Sequence, residues 1–294
     1  MKDVRTDDAG FRVSFELFPP KTEDALPKFD DVVDQLLSVG PEYFSVTYGA
    51  GGTTRDRTRG CVERVRERTG LPVSHHLTCV EASREEIDDL ARDLWESGIR
   101  KLVALRGDPV GGGTYTPPAN GYPYAAELVA GLRRVADFDI AVGAYPEKHP
   151  EAFSEESDLD NLKRKVDAGA TSAITQYVFD TETVLRFVDR ARAAGITVPI
   201  IPGIMPVSHF GGLKRFSEKC GASIPDWMSE MFEGRDADPE MRAMVATTIA
   251  TEQCRRFLAE GIDEFHIYTL NKATVPLAIC RALGLNADPA QSAA

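Results

Sequence analysis

Short runs of apolar and β-branched residues alternate along the chain with segments in which apolar residues recur every three or four positions. The first pattern is typical of buried strands and the second of amphipathic helices, as in the segment with Leu90, Leu94 and Trp95. Several helical segments end in a glycine, as helix C-termini often do, namely Gly40, Gly98, Gly169 and Gly195. We predict eight strands, at Arg12–Phe18, Tyr43–Tyr48, Val73–Val80, Lys101–Arg106, Asp139–Tyr145, Ser172–Phe179, Val198–Met205 and Glu264–Leu270.

Eight strands that alternate with helices predict a parallel sheet with right-handed crossovers. Their number favours a closed (βα)8 barrel, the TIM barrel of the α/β class, over an open doubly wound sheet. The connection from Pro206 to Asp263, between the seventh and eighth strands, is longer than the others and predicts extra helices around Pro225–Phe232 and Pro239–Glu260. No linker or shift in composition marks a boundary, so we expect one barrel domain over residues 1–294, with frayed ends at about 1–10 and 286–294.

Charge and composition narrow the classes of function. The chain has 34 Lys and Arg against 46 Asp and Glu, a formal net charge of −12, so it offers no basic footprint for nucleic acid. No apolar run approaches the ~20 residues that span a membrane, and the first ten residues lack the apolar stretch of a signal peptide. We therefore expect a cytoplasmic protein. Its five cysteines are widely spaced without a C-x-x-C pair, which favours reduced, mostly buried thiols.

Polar residues gather where the predicted strands end, which is where the active sites of such barrels lie. Glu16 lies in an otherwise apolar and aromatic strand. An ionised carboxylate is costly there, so this residue is a natural general acid, and a structural pairing with a buried Arg or Lys is the alternative. The sequence Arg106-Gly107-Asp108 places a cation and an anion around a residue that lets a ligand approach the backbone. A surface ion pair is the alternative there.

One predicted helix carries a polar face after the fifth strand. Asp158, Asn161 and Lys165 are three and four residues apart, so they share one side of the helix, with Arg164 at its margin. Two cations and two hydrogen-bonding side chains near the mouth of a site can hold ribose and pyrophosphate in an acidic protein. A solvated charged face is the alternative reading of the same spacing.

Two further motifs carry weaker signals. His75 and His76 are adjacent on a strand and point to opposite faces, so only one of them can face the barrel axis. With no carboxylate and histidine cluster at ligand spacing, we expect no metal site. Gly49–Thr54 follows a strand and opens a helix, as an anion-binding turn does, but it does not fit G-x-G-x-x-G and serves equally well as a tight turn.

Seven stretches, in this order and spacing, resemble the 5,10-methylenetetrahydrofolate reductase family, the flavoproteins of one-carbon metabolism. The resemblance runs from about Phe11 to Leu285. The stretches are VSFELFPP from Val13, SVTYGA from Ser45, HLTC from His76, VALRGD from Val103, NLKRKVDAGA from Asn161, ITQ from Ile174 and IPGIMP from Ile201.

The resemblance implies a (βα)8 barrel that binds FAD non-covalently and uses NAD(P)H, with NADH the expected donor, to reduce methylenetetrahydrofolate to 5-methyltetrahydrofolate. We also expect a homo-oligomer. Glu16 would be the acid that helps open the folate ring, Asp108 would lie beside flavin and pterin, and Gln176 and Phe216 would contact the substrates. The residues implied to hold FAD are Thr47, Tyr48, Ala50, His76, Arg106, Gly107, Asp108, Tyr145, His149, Ala152, Asp158, Asn161, Arg164 and Lys165.

Two positions depart from the pattern of well-studied bacterial members. Gly212 stands where a Gln would help to bind folate, and Lys272 replaces an Arg that pairs with the glutamate tail. Lys272 keeps the charge but lacks the bidentate fork of a guanidinium.

Two other classes of function remain open from the residues. A metal-dependent barrel aldolase or hydrolase would use His76, His149 and Asp108 as ligands. A non-catalytic folate or flavin carrier would leave a buried Glu16 without a purpose. The retained set of Asp158, Asn161, Arg164 and Lys165 argues against a flavin-free reductase.

Overall fold

A computed structural model describes residues 10–48, 55–109, 111–207, 209–235 and 237–285. Within these ranges the strands β1 to β9 are Arg12–Leu17, Tyr43–Val46, Val73–Thr78, Lys101–Leu105, Asp139–Ala144, Ser172–Thr175, Ile200–Ile201, Gly203–Ile204 and Glu264–Tyr268. All pairings are parallel, and the sheet order is β7-β6-β5-β4-β3-β2-β1-β9-β8. The TIM barrel fold is therefore confirmed.

The seventh predicted strand is split into two short pieces. β7 pairs with β6 and β8 pairs with β9, so the two pieces together bring the sheet round on itself. Pro202 lies between them and has no N–H to donate to a neighbouring strand, although its carbonyl accepts a hydrogen bond from His266 N at 3.0 Å. The barrel thus keeps eight strand positions, with an interruption that proline chemistry explains.

Side chains along β1 alternate between the helical layer and the barrel axis. Phe15 and Leu17 are fully buried in the apolar core that strands and helices share, and the Phe15 ring lies 6.0 Å from that of Phe44. Ser14 and Glu16 point the other way, toward His266 on β9. The helix-facing side of this strand is therefore apolar, while its axis-facing side carries the polar groups that chemistry requires.

The helices cover the outside of the barrel. In chain order α1 to α10 are Leu26–Leu37, Arg55–Thr69, Arg84–Glu96, Ala125–Val135, Glu155–Asp167, Thr181–Ala193, Phe210–Cys220, Asp226–Phe232, Pro239–Ala259 and Thr274–Ala282. A 3-10 turn at Glu23–Ala25 precedes α1. The four glycines that we predict at helix ends all have positive φ. Glycine adopts this backbone conformation easily, and it commonly terminates an α-helix.

The long connection between β8 and β9 contains α7, α8 and α9. The last two coincide with the helices that the pattern predicts, whereas α7 is not predicted because Gly211 and Gly212 in its first turn have low helix propensity. His209 caps this helix, since its Nδ1 accepts from Gly212 N at 2.9 Å.

Charged side chains are paired at the N-terminal end of the barrel. Arg12 Nη2 lies 2.9 Å from Glu264 Oε2, and Lys101 Nζ donates to Asp139, which also accepts from the Thr171 hydroxyl. Burial alone raises the pKa of Asp139, but the hydrogen bonds from Lys101 and Thr171 outweigh it and hold this pKa below its usual value. Each of these charges has its partner in the protein, although burial still raises the pKa of Glu264.

No helix in the described ranges is long and apolar enough to cross a membrane. The five cysteines are free, and all except Cys220 are buried. Burial raises the pKa of the Cys61 and Cys79 thiols to about 11 and that of Cys280 to about 12. These groups therefore stay protonated and unreactive, as the sequence predicts.

Candidate active site

Three side chains from separate strands meet near the C-terminal end of β1. Glu16 Oε2 lies 3.6 Å from Nε2 of His76 on β3 and 3.8 Å from Nε2 of His266 on β9. Glu16 is 9 % exposed, and both imidazoles are buried. Burial lowers the pKa of His76 to about 4, so its ring is neutral at neutral pH and supplies no counter-charge.

The surroundings of Glu16 do not match the alternative in which this residue forms a structural ion pair with a buried Arg or Lys. Among the described residues no Arg or Lys forms an ion pair with its carboxylate, and its two near neighbours are imidazoles beyond hydrogen-bond distance. His76 Nε2 is itself buried without a hydrogen-bond partner in the described ranges. Hydrogen-bonding capacity is therefore left over at this point of the axis, where a substrate group can use it.

His266 is fixed by two hydroxyl groups that the sequence pattern does not single out. Its Nδ1 lies 2.7 Å from Ser14 Oγ, and its Nε2 lies 3.2 Å from Ser45 Oγ. The Tyr43 ring stacks on the imidazole at 6.0 Å. Thr269, which directly follows β9, also contacts β1, because its Oγ1 donates to the Glu16 carbonyl at 2.6 Å. These hydrogen bonds hold the His266 ring and the Thr269 side chain in place beside Glu16.

The two adjacent histidines point to opposite faces, as predicted. His76 faces the axis, whereas both ring nitrogens of His75 are buried on the other face and lack hydrogen-bond partners among the described residues. The ring of Tyr48 lies 6.3 Å from that of His75. In the parts of the chain that the structure describes, no three His, Cys, Asp or Glu side chains are grouped to hold a metal ion. The metal-dependent alternative therefore has no ligand set there.

The Arg106-Gly107-Asp108 turn follows β4 at the same end of the barrel. Gly107 has φ +82°, and a Cβ there would lie 2.6 Å from Val80 Cγ1, so the turn requires glycine. Arg106 Nε donates to the Gly107 carbonyl at 3.1 Å, and Nη2 donates to Asp108 at 3.3 Å. Both terminal nitrogens of Arg106 also donate to Glu151, a contact that the sequence does not predict.

The loop after β5 brings several of the predicted cofactor residues together. The rings of Tyr145 and His149 meet edge to face at 4.7 Å. His149 N donates to Asp158 Oδ2 at 2.7 Å, and Ala152 N donates to the His149 carbonyl at 2.9 Å. Burial raises the pKa of Tyr145 to about 12, so its hydroxyl remains a hydrogen-bond donor at neutral pH.

Lys165 reaches inward from α5 to the barrel. Its Nζ donates to the Gly143 carbonyl on β5 at 2.5 Å. Burial lowers the pKa of Lys165 to about 8, and the nearby Asp158 carboxylate opposes this shift. On the same helix Arg164 donates to Asn161 Oδ1. A desolvated ammonium held by a neutral carbonyl is a cation that gains from an anionic ligand.

These groups have the chemistry that a dinucleotide needs. Arg106, Arg164 and Lys165 supply cations for phosphate, while Asp158 and Asn161 supply the hydrogen-bonding oxygens that suit ribose hydroxyls. All five lie at or after the C-terminal ends of β4 and β5. The residues present therefore fit FAD, the cofactor that the resemblance implies.

The second strand carries fewer described contacts. Thr47 N donates to the Leu17 carbonyl at 2.9 Å, and the Thr47 carbonyl accepts from Thr58 Oγ1 at 3.1 Å, so Thr47 is held beside the end of β1. Tyr48 follows it. Ala50 and the Gly49–Thr54 turn lie outside the described residues.

The two predicted substrate contacts lie on neighbouring elements. Gln176 directly follows β6, and its Oε1 accepts from Tyr177 N at 3.0 Å. Phe216 on α7 is 46 % exposed, and its ring stacks on that of Tyr177 at 6.0 Å. Tyr177 and Ser217 are joined through their hydroxyls at 2.9 Å. The buried Tyr177 therefore holds α7 against the end of β6. The exposed ring of Phe216 on α7 is in this way placed near Gln176.

The third predicted substrate residue lines a cavity. Lys272 borders a space of about 380 Å³ together with Lys28 on α1, and Thr269 and Asn271 line it too. Asn271 exchanges hydrogen bonds with the backbone of Phe18 at 2.9 and 2.8 Å, which ties this loop to the end of β1. Lys272 is thus connected to the Glu16 strand through the loop that carries it.

Comparison with known proteins shows the family to which this chain belongs. The family model described as methylenetetrahydrofolate reductase matches residues 2–284. A 5,10-methylenetetrahydrofolate reductase of Salmonella typhimurium is 52 % identical over 275 residues, which cover 93 % of this chain and 90 % of that protein. A protein of Oryza sativa subsp. japonica, named probable methylenetetrahydrofolate reductase (NADH), is 38 % identical over 284 residues, which cover 92 % of this chain and 48 % of that protein.

A solved structure shares the fold at low identity. An uncharacterized protein from Clostridium thermocellum, described as binding two copies of 5-methyl-5,6,7,8-tetrahydrofolic acid, superposes with a TM-score of 0.64 at 17 % identity, over 92 % of this chain and 93 % of that chain. The family match and the relative that is half identical both span nearly the whole sequence, and they confirm the resemblance. The chain belongs to the methylenetetrahydrofolate reductase family of oxidoreductases.

Proposed function

We propose that this protein reduces 5,10-methylenetetrahydrofolate to 5-methyltetrahydrofolate with electrons from NADH, through a non-covalently bound FAD. The observation that carries the proposal is the placement of Glu16. A buried carboxyl without a cationic partner among the described residues lies at the same end of the barrel as the Lys165 and Arg106 cations. A flavin-dependent folate reduction needs an acid close to the residues that bind the dinucleotide.

When bound, FAD would supply a carrier that accepts a hydride from the nicotinamide and passes it to the folate. The cations of Lys165, Arg164 and Arg106 would hold its diphosphate, and Asp158 and Asn161 would bind ribose. Asp108 accepts from Arg106 but is mostly exposed at the turn after β4, so its carboxylate would be accessible to the flavin and pterin rings.

Glu16 would deliver the proton that the folate needs. Opening the five-membered ring of methylenetetrahydrofolate leaves a nitrogen that must be protonated, and a positioned acid typically contributes ~10²–10⁴ in rate. The neutral His76 and the hydroxyl-anchored His266 border the carboxyl and restrict where it can point. These residues position the acid and do not themselves need to carry its proton.

Gln176 and Phe216 would contact the substrates. The half-exposed Phe216 ring offers a flat apolar surface for either a pterin or a nicotinamide, and the Gln176 amide can donate or accept as the substrate requires. One site that takes two different planar rings in turn suits alternating half-reactions. The name of the rice relative supports NADH as the donor, and the folate named in the Clostridium thermocellum structure supports a folate in this fold.

A product assay tests the proposal. Purified protein is mixed with NADH and methylenetetrahydrofolate, and 5-methyltetrahydrofolate is measured by chromatography, while the cofactor released on denaturation is identified against FAD and FMN. We expect FAD and a product equal in amount to the NADH consumed. Protein that contains no flavin, or NADH consumption without the methyl product, would contradict the proposal. Faster turnover with NADPH would overturn only the choice of donor.

A further inference from the structure

Glu151 is placed so that its carboxylate fills the outward fork of Arg106. Nη1 of Arg106 donates to one carboxylate oxygen, and Nη2 donates to the other at 3.0 Å. The carboxylate is set in place by a one-turn loop, because Glu151 N donates to His149 Nδ1 at 3.1 Å and the following Ala152 N donates to the His149 carbonyl. This pair is therefore built into the loop that also carries the predicted cofactor residues.

The guanidinium of Arg106 has little capacity left beyond this pair. Its Nε is used by the Gly107 carbonyl, and Nη2 is shared with Asp108. One face lies over the Tyr115 ring, 4.5 Å from its centroid, and the side chain is only 17 % exposed. A carboxylate and a phosphate engage the guanidinium fork in the same bidentate geometry. An anionic ligand that takes this fork must therefore replace Glu151.

We propose that Glu151 competes with the diphosphate of the dinucleotide cofactor for Arg106 and so weakens cofactor binding. The proposal rests on the proposed function, because it assumes that FAD binds at this end of the barrel. The Glu151 side chain is half exposed, so it can turn into solvent when phosphate takes its place. Its negative charge also opposes a diphosphate nearby, and both effects have the same sign.

The test is the dissociation constant of FAD for Glu151→Gln in the full-length protein. Glutamine keeps the size of the side chain and removes the charge that holds Arg106. FAD is titrated into protein from which flavin has been removed, and binding is followed by the quenching of flavin fluorescence. We expect the variant to bind FAD about threefold to tenfold more tightly than the wild type, the range that a partly exposed ion pair allows.

Glu155→Gln is the matched control. Glu155 lies four residues further along, is exposed to a similar degree and pairs with Arg190 instead of Arg106, while its substitution changes the net charge equally. We expect its FAD affinity to equal that of the wild type. Riboflavin, which has no phosphate, should bind equally to all three proteins.

Four outcomes would overturn the inference. Unchanged or weaker FAD binding by Glu151→Gln would mean that Glu151 holds Arg106 ready for the cofactor. An equal gain in Glu155→Gln would mean that only net charge matters. A gain that persists with riboflavin would place the effect away from the diphosphate. A wild-type protein that binds no FAD would remove the proposed function itself, and this result is distinct from the other three.

Discussion

The two ends of this barrel differ in how their charged side chains are paired. At the N-terminal end Arg12 pairs with Glu264, and Lys101 pairs with Asp139, so each charge has its partner in the protein. At the C-terminal end no Arg or Lys of the described residues pairs with the Glu16 carboxyl, which lies 3.6 and 3.8 Å from two imidazoles, and the Lys165 ammonium donates to a neutral carbonyl.

The pKa values of two groups express the same difference. Lys101 and Thr171 hold the pKa of Asp139 below its usual value despite burial, whereas burial lowers the pKa of Lys165 to about 8 because no partner compensates for it fully. In a barrel of this kind the N-terminal end serves stability and the C-terminal end serves chemistry. The incompletely paired Glu16 and Lys165 therefore lie at the end of the barrel where the active sites of this fold form.

The largest effect is expected from Glu16→Gln, which keeps the size of the side chain and removes the transferable proton. Folate reduction should fall by about 10² or more, because a general acid contributes that much. Flavin reduction by NADH needs no acid from the protein and should stay within about tenfold of the wild type. Stopped-flow measurement of each half-reaction checks this, and equal losses in both would assign Glu16 to flavin positioning.

Lys165→Met should raise the dissociation constant of FAD by about ten- to a hundredfold, the value of a charge-assisted hydrogen bond. Methionine keeps the apolar length of the side chain and removes the charge. Lys163→Met is the control, because Lys163 lies on the same helix but pairs with Asp167 at the surface. Equal flavin retention in both variants after dilution and gel filtration would show that Lys165 does not bind FAD.

The pH dependence of FAD binding should follow the titration of the Lys165 ammonium. A bound phosphate stabilises charged Lys165 and raises its pKa above the free value of about 8. Affinity is therefore complete below pH 8 and declines above it, by up to about tenfold per pH unit. Titrations from pH 6 to 10 should show this decline in the wild type and lose it in Lys165→Met, and an identical decline in both would contradict the assignment.

Lys101→Met tests the opposite end of the barrel. It leaves the half-buried Asp139 carboxylate without its cation, and we expect the free energy of unfolding to fall by about 1–2 kcal/mol after allowance for solvent screening. The exposed pair of Arg92 and Asp89 gives a control, Arg92→Gln, with a loss of about 0–0.5 kcal/mol. Urea unfolding of flavin-free protein measures both. A Lys101→Met protein that is fully stable but has lost FAD affinity would reverse the proposed division between the ends.

The smallest effect is expected at Gly212. A Cβ there would lie 3.5 Å from His209 Nδ1, an ordinary contact, so a larger side chain fits on α7. Gly212→Gln should lower the KM for the folate about threefold, as one neutral hydrogen bond allows. Gly211→Gln, one helical step away, is the control, and a similar gain there would show that the glutamine acts without a specific contact.

Much of the fold could be predicted from local pattern. Buried parallel strands read as short apolar runs, and glycines mark the helix ends, so the barrel follows from the order of elements. The split at Pro202 and the helix α7 could not be obtained in this way. A proline inside an apolar run and two glycines in a first helical turn weaken local signals, while pairing with β6 and β9 and capping by His209 decide the structure.

The site could be predicted only in part, for a related reason. Glu16 is visible because a carboxylate in an apolar strand is unusual, whereas His266 looks like an ordinary core histidine. Its partners Ser14 and Ser45 are more than 200 residues away in the chain and become neighbours only when the barrel closes. The pairing of Glu151 with Arg106 is hidden similarly, because it depends on the shape of the loop after β5.

In the proposed function the C-terminal end of the barrel passes electrons from NADH to a folate through one flavin. An anaerobic titration of the purified protein can test this. We expect yellow protein whose visible absorbance is bleached by NADH and restored by methylenetetrahydrofolate, with 5-methyltetrahydrofolate formed in an amount equal to the flavin. Protein without flavin, or bleached flavin whose colour does not return when the folate is added, would contradict the claim.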